Sequence, residues 1–278
     1  TTGSWCRAHR TWRSSSTSSS ACSRSEHPLV MLSHETVGTG RPVAFVHGFT
    51  QTRGSWSPLL ALLHSVESTL IDAPGHGGSP DGSRSLWQCG DDIAATMRTG
   101  VLVGYSMGAR MALHTALAHP GKVTGLVLIS GTAGIEDPAE RNARRLADDA
   151  LADHIEEIGT PAFMEEWLAN PMFSGLPPAL AMRGERSRNS PRGLADSLRH
   201  AGTGTQENLW PRLAGINVPT LIITGSRDAK FTAIGARMHR AVAGSSHVEV
   251  EGAGHTVHLE ATTETARVLQ DWLLTQQP

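Results

Sequence analysis

Between Val101 and Met111 a short apolar run, Val101-Leu102-Val103, enters Gly104-Tyr105-Ser106-Met107-Gly108, and a helical pattern follows through Ala118. No other stretch limits the possible folds as strongly. Gly-x-Ser-x-Gly carries meaning only between a strand and a helix, and both flanks are present. A serine that presents its hydroxyl at the end of a strand sits on a tight, strained turn. Strand and helix then approach so closely that positions 104 and 108 have no room for a side chain. The helix that follows aims its first amides at the serine and favours negative charge there. This is a nucleophile elbow.

A single elbow needs a sheet around it, and the 278 residues are enough for one α/β domain with an insertion. Strand patterns cover Val30–Val37, Pro42–His47, Ser68–Asp72, the Val101 run, Val123–Ser130, Pro219–Gly225 and His247–Glu251. Helical patterns cover the leucines between Gln51 and Ser65, Leu86–Met97, the segment after Ser106, and Thr262–Leu274. Strand and helix alternate, which predicts a mostly parallel sheet with helices on both faces. The alternation stops between Gly131 and Pro211, where only helical patterns occur: Pro138–Ile158, Pro161–Ala169 and Leu194–Ala201. A helical block inserted there belongs over the carboxyl ends of the strands. The organisation expected is therefore a core of 29–130 with 212–278 and a helical cap of 131–211.

Residues 1–28 are of another kind. Ser14 to Ser20 is a serine/threonine run without apolar periodicity, and Arg7, Arg10, Arg13 and Arg24 face a single Glu26. The composition predicts a disordered extension, with Met31 as a natural start. A net charge of −2 argues against a general nucleic-acid surface, and no apolar run is long enough to span a membrane. Three well-separated cysteines have neither metal-ligand nor disulfide spacing, so no metal site is expected and the default location is cytoplasmic.

Ser106 needs a base and an orienting acid. Downstream of the elbow, Asp228 follows the strand Thr220–Thr224 in Gly225-Ser226-Arg227-Asp228, and His255 follows the next strand in Glu251-Gly252-Ala253-Gly254-His255. Both stand just past strand ends, so Ser106, Asp228 and His255 can converge on one edge of the sheet. His258 is a packing or surface group on this reading, and His47 and His76 have structural roles. An oxyanion needs two preorganised amides. Met107, next to the serine, supplies one; Phe49, in the loop His47-Gly48-Phe49 after an early strand, supplies the other.

These segments together resemble the α/β-hydrolase superfamily from about Val30 to Leu274. Gly75-His76-Gly77-Gly78-Ser79 and Gly254-His255 add to that likeness. A finer set resembles the MenH family, the 2-succinyl-6-hydroxy-2,4-cyclohexadiene-1-carboxylate synthases of menaquinone biosynthesis. It comprises Gly104-Tyr105-Ser106-Met107-Gly108-Ala109-Arg110, the run Glu140–Arg145 with Asp148, and Trp167 with Pro171 and Phe173. Arg186 with Asn189, Gly202-Thr203-Gly204-Thr205-Gln206, and Asp228-x-Lys230-Phe231 complete it. The chain departs from the pattern at Ala261, where a proline is usual, and in the short segment 81–100.

The resemblance implies a cofactor-free lyase that removes pyruvate from 2-succinyl-5-enolpyruvyl-6-hydroxy-3-cyclohexene-1-carboxylate, a small tricarboxylate, with the triad acting as a base. Guanidinium groups grip carboxylates two oxygens at a time. Arg110, Arg144 and Arg186 are the candidates for that task, and Tyr105 and Trp167 would line the cavity. The remaining cap arginines, Arg141, Arg145, Arg183, Arg188 and Arg192, read as a solvated face. Two other readings use the same fold. A carboxylesterase working through an acyl-enzyme would share the triad but need no anion clamp, and a non-catalytic binding module would need neither.

Overall fold

The computed structural model describes residues 28–276. The reading of residues 1–28 as a disordered extension falls, up to position 27, outside the described residues. The elements run β1 (His34–Val37), β2 (Arg41–Val46), α1 (Ser57–Leu60), β3 (Val66–Ile71), α2 (Leu86–Thr96), β4 (Gly100–Tyr105), α3 (Met107–Ala118) and β5 (Val123–Ile129). After these come α4 (Pro138–Leu168), α5 (Arg183–Arg186), α6 (Pro191–Ala201), β6 (Thr220–Gly225), α7 (Ala229–Ala241), β7 (Ser245–Val250), α8 (Val257–Glu260) and α9 (Thr262–Thr275).

The strands form one sheet in the order β1-β3-β2-β4-β5-β6-β7, with β1 antiparallel and all other neighbours parallel. The chain runs outward from β2 to β3 and then crosses back to β4 on the other side of β2. That reversal leaves a crevice between the carboxyl ends of β2 and β4, the place where α/β sheets bind ligands. The loop His47-Gly48-Phe49 follows β2, and Ser106 follows β4, so the topology alone brings them face to face.

Neighbouring residues of one strand go to opposite layers. Leu102, Ala44, Leu126 and Ile222 pack with α2, α3 and α7, while Val103, Phe45, Val127 and Ile223 pack with α1 and α9. Both faces are covered, so the strands read as continuous apolar runs and not as alternating ones. The helical block after β5 has a small core of its own, in which Ala152, Ile155, Phe163 and Met164 of α4 meet Leu194, Ala195 and Leu198 of α6.

Several local features differ from the sequence expectation. Strand β1 is only His34–Val37; upstream, the Val30 and Leu32 amides bond to Asp92 and Thr96 side chains of α2 instead of to a strand. The leucines after Gln51 form a single α-turn, because the chain reverses at Ser65, which has φ 57°, to enter β3. The predicted pair of helices in the insert is α4, interrupted at Gly159, whose φ of 76° no helix accommodates. Helix α7 was not foreseen: its hydrophobic contacts rest on few residues, with Gly235 and Met238 buried.

Gly104 and Gly108 show the crowding anticipated at the elbow. A Cβ on Gly104 would lie 2.7 Å from the Ala109 Cα, and one on Gly108 2.6 Å from the His47 carbonyl oxygen. Both obstacles are backbone, so relief requires moving α3 away from β2 or β4. Gly108→Ala is expected to destabilise the protein by about 1–3 kcal/mol, the usual range for overpacking. Thermal denaturation checks this, with a melting temperature lowered by several degrees expected and an unchanged one contradicting it.

Candidate active site

Ser106 closes β4 with φ 51° and ψ −106°, a strained conformation that lifts its hydroxyl out of the sheet edge. Its Oγ lies 3.0 Å from Nε2 of His255. The other ring nitrogen, Nδ1, lies 2.7 Å from Oδ2 of Asp228. A carboxylate only accepts, so Nδ1 carries the proton and Nε2 is left to accept from the serine. Partial burial pushes the Asp228 carboxyl upward. The bond from His255, with the Phe231 amide and Lys230, outweighs burial and holds it below the usual carboxylate range. The three side chains come from the ends of β4, β6 and β7 and form one relay.

The ring of Phe231 packs on the His255 imidazole at 4.5 Å, and Tyr105 does so at 5.6 Å. Ser130, at the end of β5, donates from its hydroxyl to the His255 carbonyl oxygen at 2.9 Å. Nothing in the sequence around Ser130 marks it, because its role depends on a partner 125 residues away.

The loop after β2 is held by two buried histidines. His47 donates from Nδ1 to the Gly48 carbonyl and accepts the Ala73 amide on Nε2; His76 donates to the Pro74 carbonyl and accepts the Thr50 amide. Each needs one donor and one acceptor nitrogen, so each must be neutral. Burial lowers His47 to about 4 and His76 to about 3. His258, packed between Trp56 and Tyr105, is likewise lowered to about 3, and His114 to about 4.

These four groups make the fold acid-sensitive. Their folded pKa values lie below the unfolded value near 6.5, so in the interval between them the unfolded chain binds more protons. Their contribution to stability is therefore constant above about pH 6.5 and falls below it, by up to about 1.4 kcal/mol per pH unit for each histidine. Melting temperatures measured from pH 8 to pH 5 should be level at first and then drop steeply. A level profile down to pH 5 would contradict the neutral assignments.

Above the relay lies a cavity of about 950 Å³, and all ten residues singled out in the sequence line it: Phe49, Tyr105, Ser106, Met107, Arg110, Arg144, Trp167, Arg186, Asp228 and His255. Phe49 and Met107 line this cavity, and Met107 is the first residue of α3, whose leading N–H groups have no partner within the helix. Trp167 stands edge-on to Phe49 at 5.4 Å and stacks on Phe163. Tyr105 donates to Thr256 Oγ1 at 3.2 Å, and burial pushes its phenol up.

The arginines differ among themselves. Arg144 pairs with Asp148 through Nε at 2.8 Å and keeps an exposed side chain. Arg110 and Arg186 are 8 % and 2 % exposed, and among the described residues neither forms an ion pair. Arg110 donates to the Ala201 carbonyl at 2.7 Å; Arg186 donates to the Ala181 carbonyl at 2.7 Å and to Thr50 Oγ1. Burial lowers both to about 10; for Arg110 the neighbouring Arg144 adds to the effect and the charge of Asp148 partly offsets it. They remain cations, desolvated and facing a cavity. Of the cap arginines read as a solvated face, Arg145, Arg183 and Arg192 pair with Asp149, Glu165 and Asp196.

Among the described residues no group of three or more His, Cys, Asp or Glu side chains is placed to hold a metal ion. Nor is any helix among them long and apolar enough to cross a membrane.

The model of the alpha/beta hydrolase family matches residues 43–268, most of the chain and every element that carries the relay. The chain belongs to the alpha/beta hydrolase family. Within this family, it is 35 % identical over 256 residues to a Bacillus subtilis (strain 168) protein provisionally named 2-succinyl-6-hydroxy-2,4-cyclohexadiene-1-carboxylate synthase, covering 87 % of this chain and 93 % of that one. The synthase of that name from Salmonella newport (strain SL254) is 29 % identical over 248 residues, covering 83 % and 94 % of the two chains. Among solved structures, MenH from S. aureus superposes on this alpha/beta hydrolase with a TM-score of 0.81 at 30 % identity, covering 88 % of this chain and 99 % of that one.

Proposed function

We propose that this alpha/beta hydrolase family member is a lyase of menaquinone biosynthesis, forming 2-succinyl-6-hydroxy-2,4-cyclohexadiene-1-carboxylate and pyruvate from the enolpyruvyl-bearing cyclohexene precursor. The likeness to synthases of that name supports the reading. The observation that carries it within the site is the pair Arg110 and Arg186. A buried guanidinium with no carboxylate in direct contact is costly to the fold, and a substrate with three carboxylates supplies the missing partners. An uncharged ester supplies none.

The relay then works as a base. Ser106, its proton drawn towards His255, takes the ring proton alpha to the succinyl carbonyl. The electron pair of that C–H bond moves into the ring, which gains a second double bond, and the C–O bond to the enolpyruvyl group breaks. Enolpyruvate leaves and becomes pyruvate by taking up a proton on carbon. Charge builds on the succinyl carbonyl oxygen as the C–H bond breaks, and the amides of Phe49 and Met107 are the donors proposed to receive it. Asp228 keeps the His255 proton on Nδ1 and stabilises the imidazolium. Arg110 and Arg186, with Arg144 and the aromatic walls of Tyr105 and Trp167, orient the tricarboxylate.

Incubation of the protein with the enolpyruvyl precursor tests this directly, and pyruvate should appear without a burst of enzyme-bound product. An absence of pyruvate would overturn the reading, and a burst would indicate an acyl-enzyme in its place.

A further inference from the structure

We propose that Glu260 is a positioning residue for the His255 imidazole, acting through the main chain on both sides of it. The inference rests on the Ser106–His255 pair proposed above, and not on the identity of the substrate. Glu260 ends α8, five residues after the histidine, and its side chain is 1 % exposed. Its two carboxylate oxygens divide their work: Oε2 accepts the Gly254 amide at 2.8 Å and Oε1 the Thr256 amide at 2.9 Å. Those are the residues immediately before and after His255. Glu260 also faces Arg227 at 3.4 Å, and Arg227 immediately precedes Asp228.

A single buried carboxylate thus ties the loop that carries the histidine to the loop that carries its acid. Besides the His255–Asp228 bond itself, the two loops are joined by Arg227 N to Ala253 O at 2.9 Å and by Gly252 N to Ser226 Oγ at 2.8 Å. With the Ser130 hydroxyl on the His255 carbonyl, the peptide after His255 is held at both its oxygen and its nitrogen, and the one before Gly254 at its nitrogen. Gly254 permits the closeness, since a Cβ there would lie 2.8 Å from Glu260 Oε2. A buried carboxylate without its donors would be strongly unfavourable, so the clamp and the loop conformation enforce each other. Its consequence is that the imidazole is fixed at both nitrogens, by Asp228 and Ser106, and at its backbone, by Glu260 and Ser130. A neutral, single-acceptor side chain at 260 would present an amide NH₂ to a main-chain N–H and release one side of the loop.

Glu260→Gln tests the assignment with two readouts. The first is steady-state pyruvate release, in which kcat should fall ten- to a hundredfold while KM stays within twofold, because Arg110 and Arg186 are untouched. The second is the rate of covalent labelling of Ser106 by a fluorophosphonate, which requires His255 to accept the serine proton but does not depend on the substrate assignment. It should fall by a similar factor, with the melting temperature showing the protein to be folded at the assay temperature. A fall in labelling without any pyruvate from the parent protein would leave Glu260 assigned and remove only the proposed reaction. A folded Glu260→Gln protein with labelling and kcat within twofold of the parent, or with a change confined to KM, would overturn the inference. Should that variant not fold, Ser130→Ala loosens the same loop from the carbonyl side. Slowed labelling in Ser130→Ala would support the clamp, and unchanged labelling would overturn it.

Discussion

Replacing Ser106 or His255 with alanine, or Asp228 with asparagine, is expected to lower turnover by about three to six powers of ten with the fold retained. The physical reason is the chain of bonds from Asp228 through His255 to Ser106, in which each member sets the protonation of the next. In Asp228→Asn the new side-chain amide offers its NH₂ to the imidazole, which moves the ring proton to Nε2 and leaves Ser106 facing a donor instead of an acceptor. The losses should not add. Once one member is gone the others have nothing to relay, so the triple variant should be about as slow as the slowest single one. Purified variants assayed for pyruvate release, with circular dichroism to establish folding, give the answer. An Asp228→Asn protein with near-parental turnover would show that Asp228 does not orient the histidine. The other carboxylate nearby cannot readily take its place, since both oxygens of Glu260 are occupied by the Gly254 and Thr256 amides.

The second large effect concerns what the site binds. Truncating Arg110 or Arg186 to alanine removes a charge-assisted pair made to the substrate by a buried guanidinium, a loss of about 1.5–3 kcal/mol. That corresponds to roughly ten- to a hundredfold in kcat/KM for the tricarboxylate. Hydrolysis of a small neutral ester such as nitrophenyl acetate, where no carboxylate is engaged, should change little. The comparison separates ligand binding from support of the fold, a distinction needed because both side chains also bond to the protein: Arg110 to Ala201, Arg186 to Ala181 and Thr50. Equal losses on the two substrates would assign the arginines to the fold. Arg144 should show a smaller effect than either, because it already has Asp148 and contact with solvent.

The sequence by itself determined the elbow and the layout that follows from it. Gly104 and Gly108 are required by contacts that any strand–Ser–helix turn makes, so the local pattern implied the tertiary crowding. The strand end before Asp228 was legible because both faces of β6 are buried, which makes it an apolar run with a clear end. Strand β7, at the sheet edge and largely unburied, was instead closed off in the sequence by the glycines at 252 and 254. The helical insert was legible because the alternation ceased. What only the tertiary structure decided were properties of groups distant in the chain. Arg110 reads as one more charged helix residue until α6 covers it, with no carboxylate at ion-pair distance among the described residues. Arg186 and the solvated Arg183 stand three residues apart and are distinguished only by which one turns inward. Ser130 carries no signature, and the sequence around Glu260 does not reveal its task, since their partners are main-chain groups around His255, and a main-chain amide is the same in every residue. The buried neutral state of His47 and His76 is likewise fixed by carbonyl and amide partners brought up by the fold. Local sterics and burial periodicity are written along the chain, whereas desolvation and backbone hydrogen bonding exist only once distant segments have met.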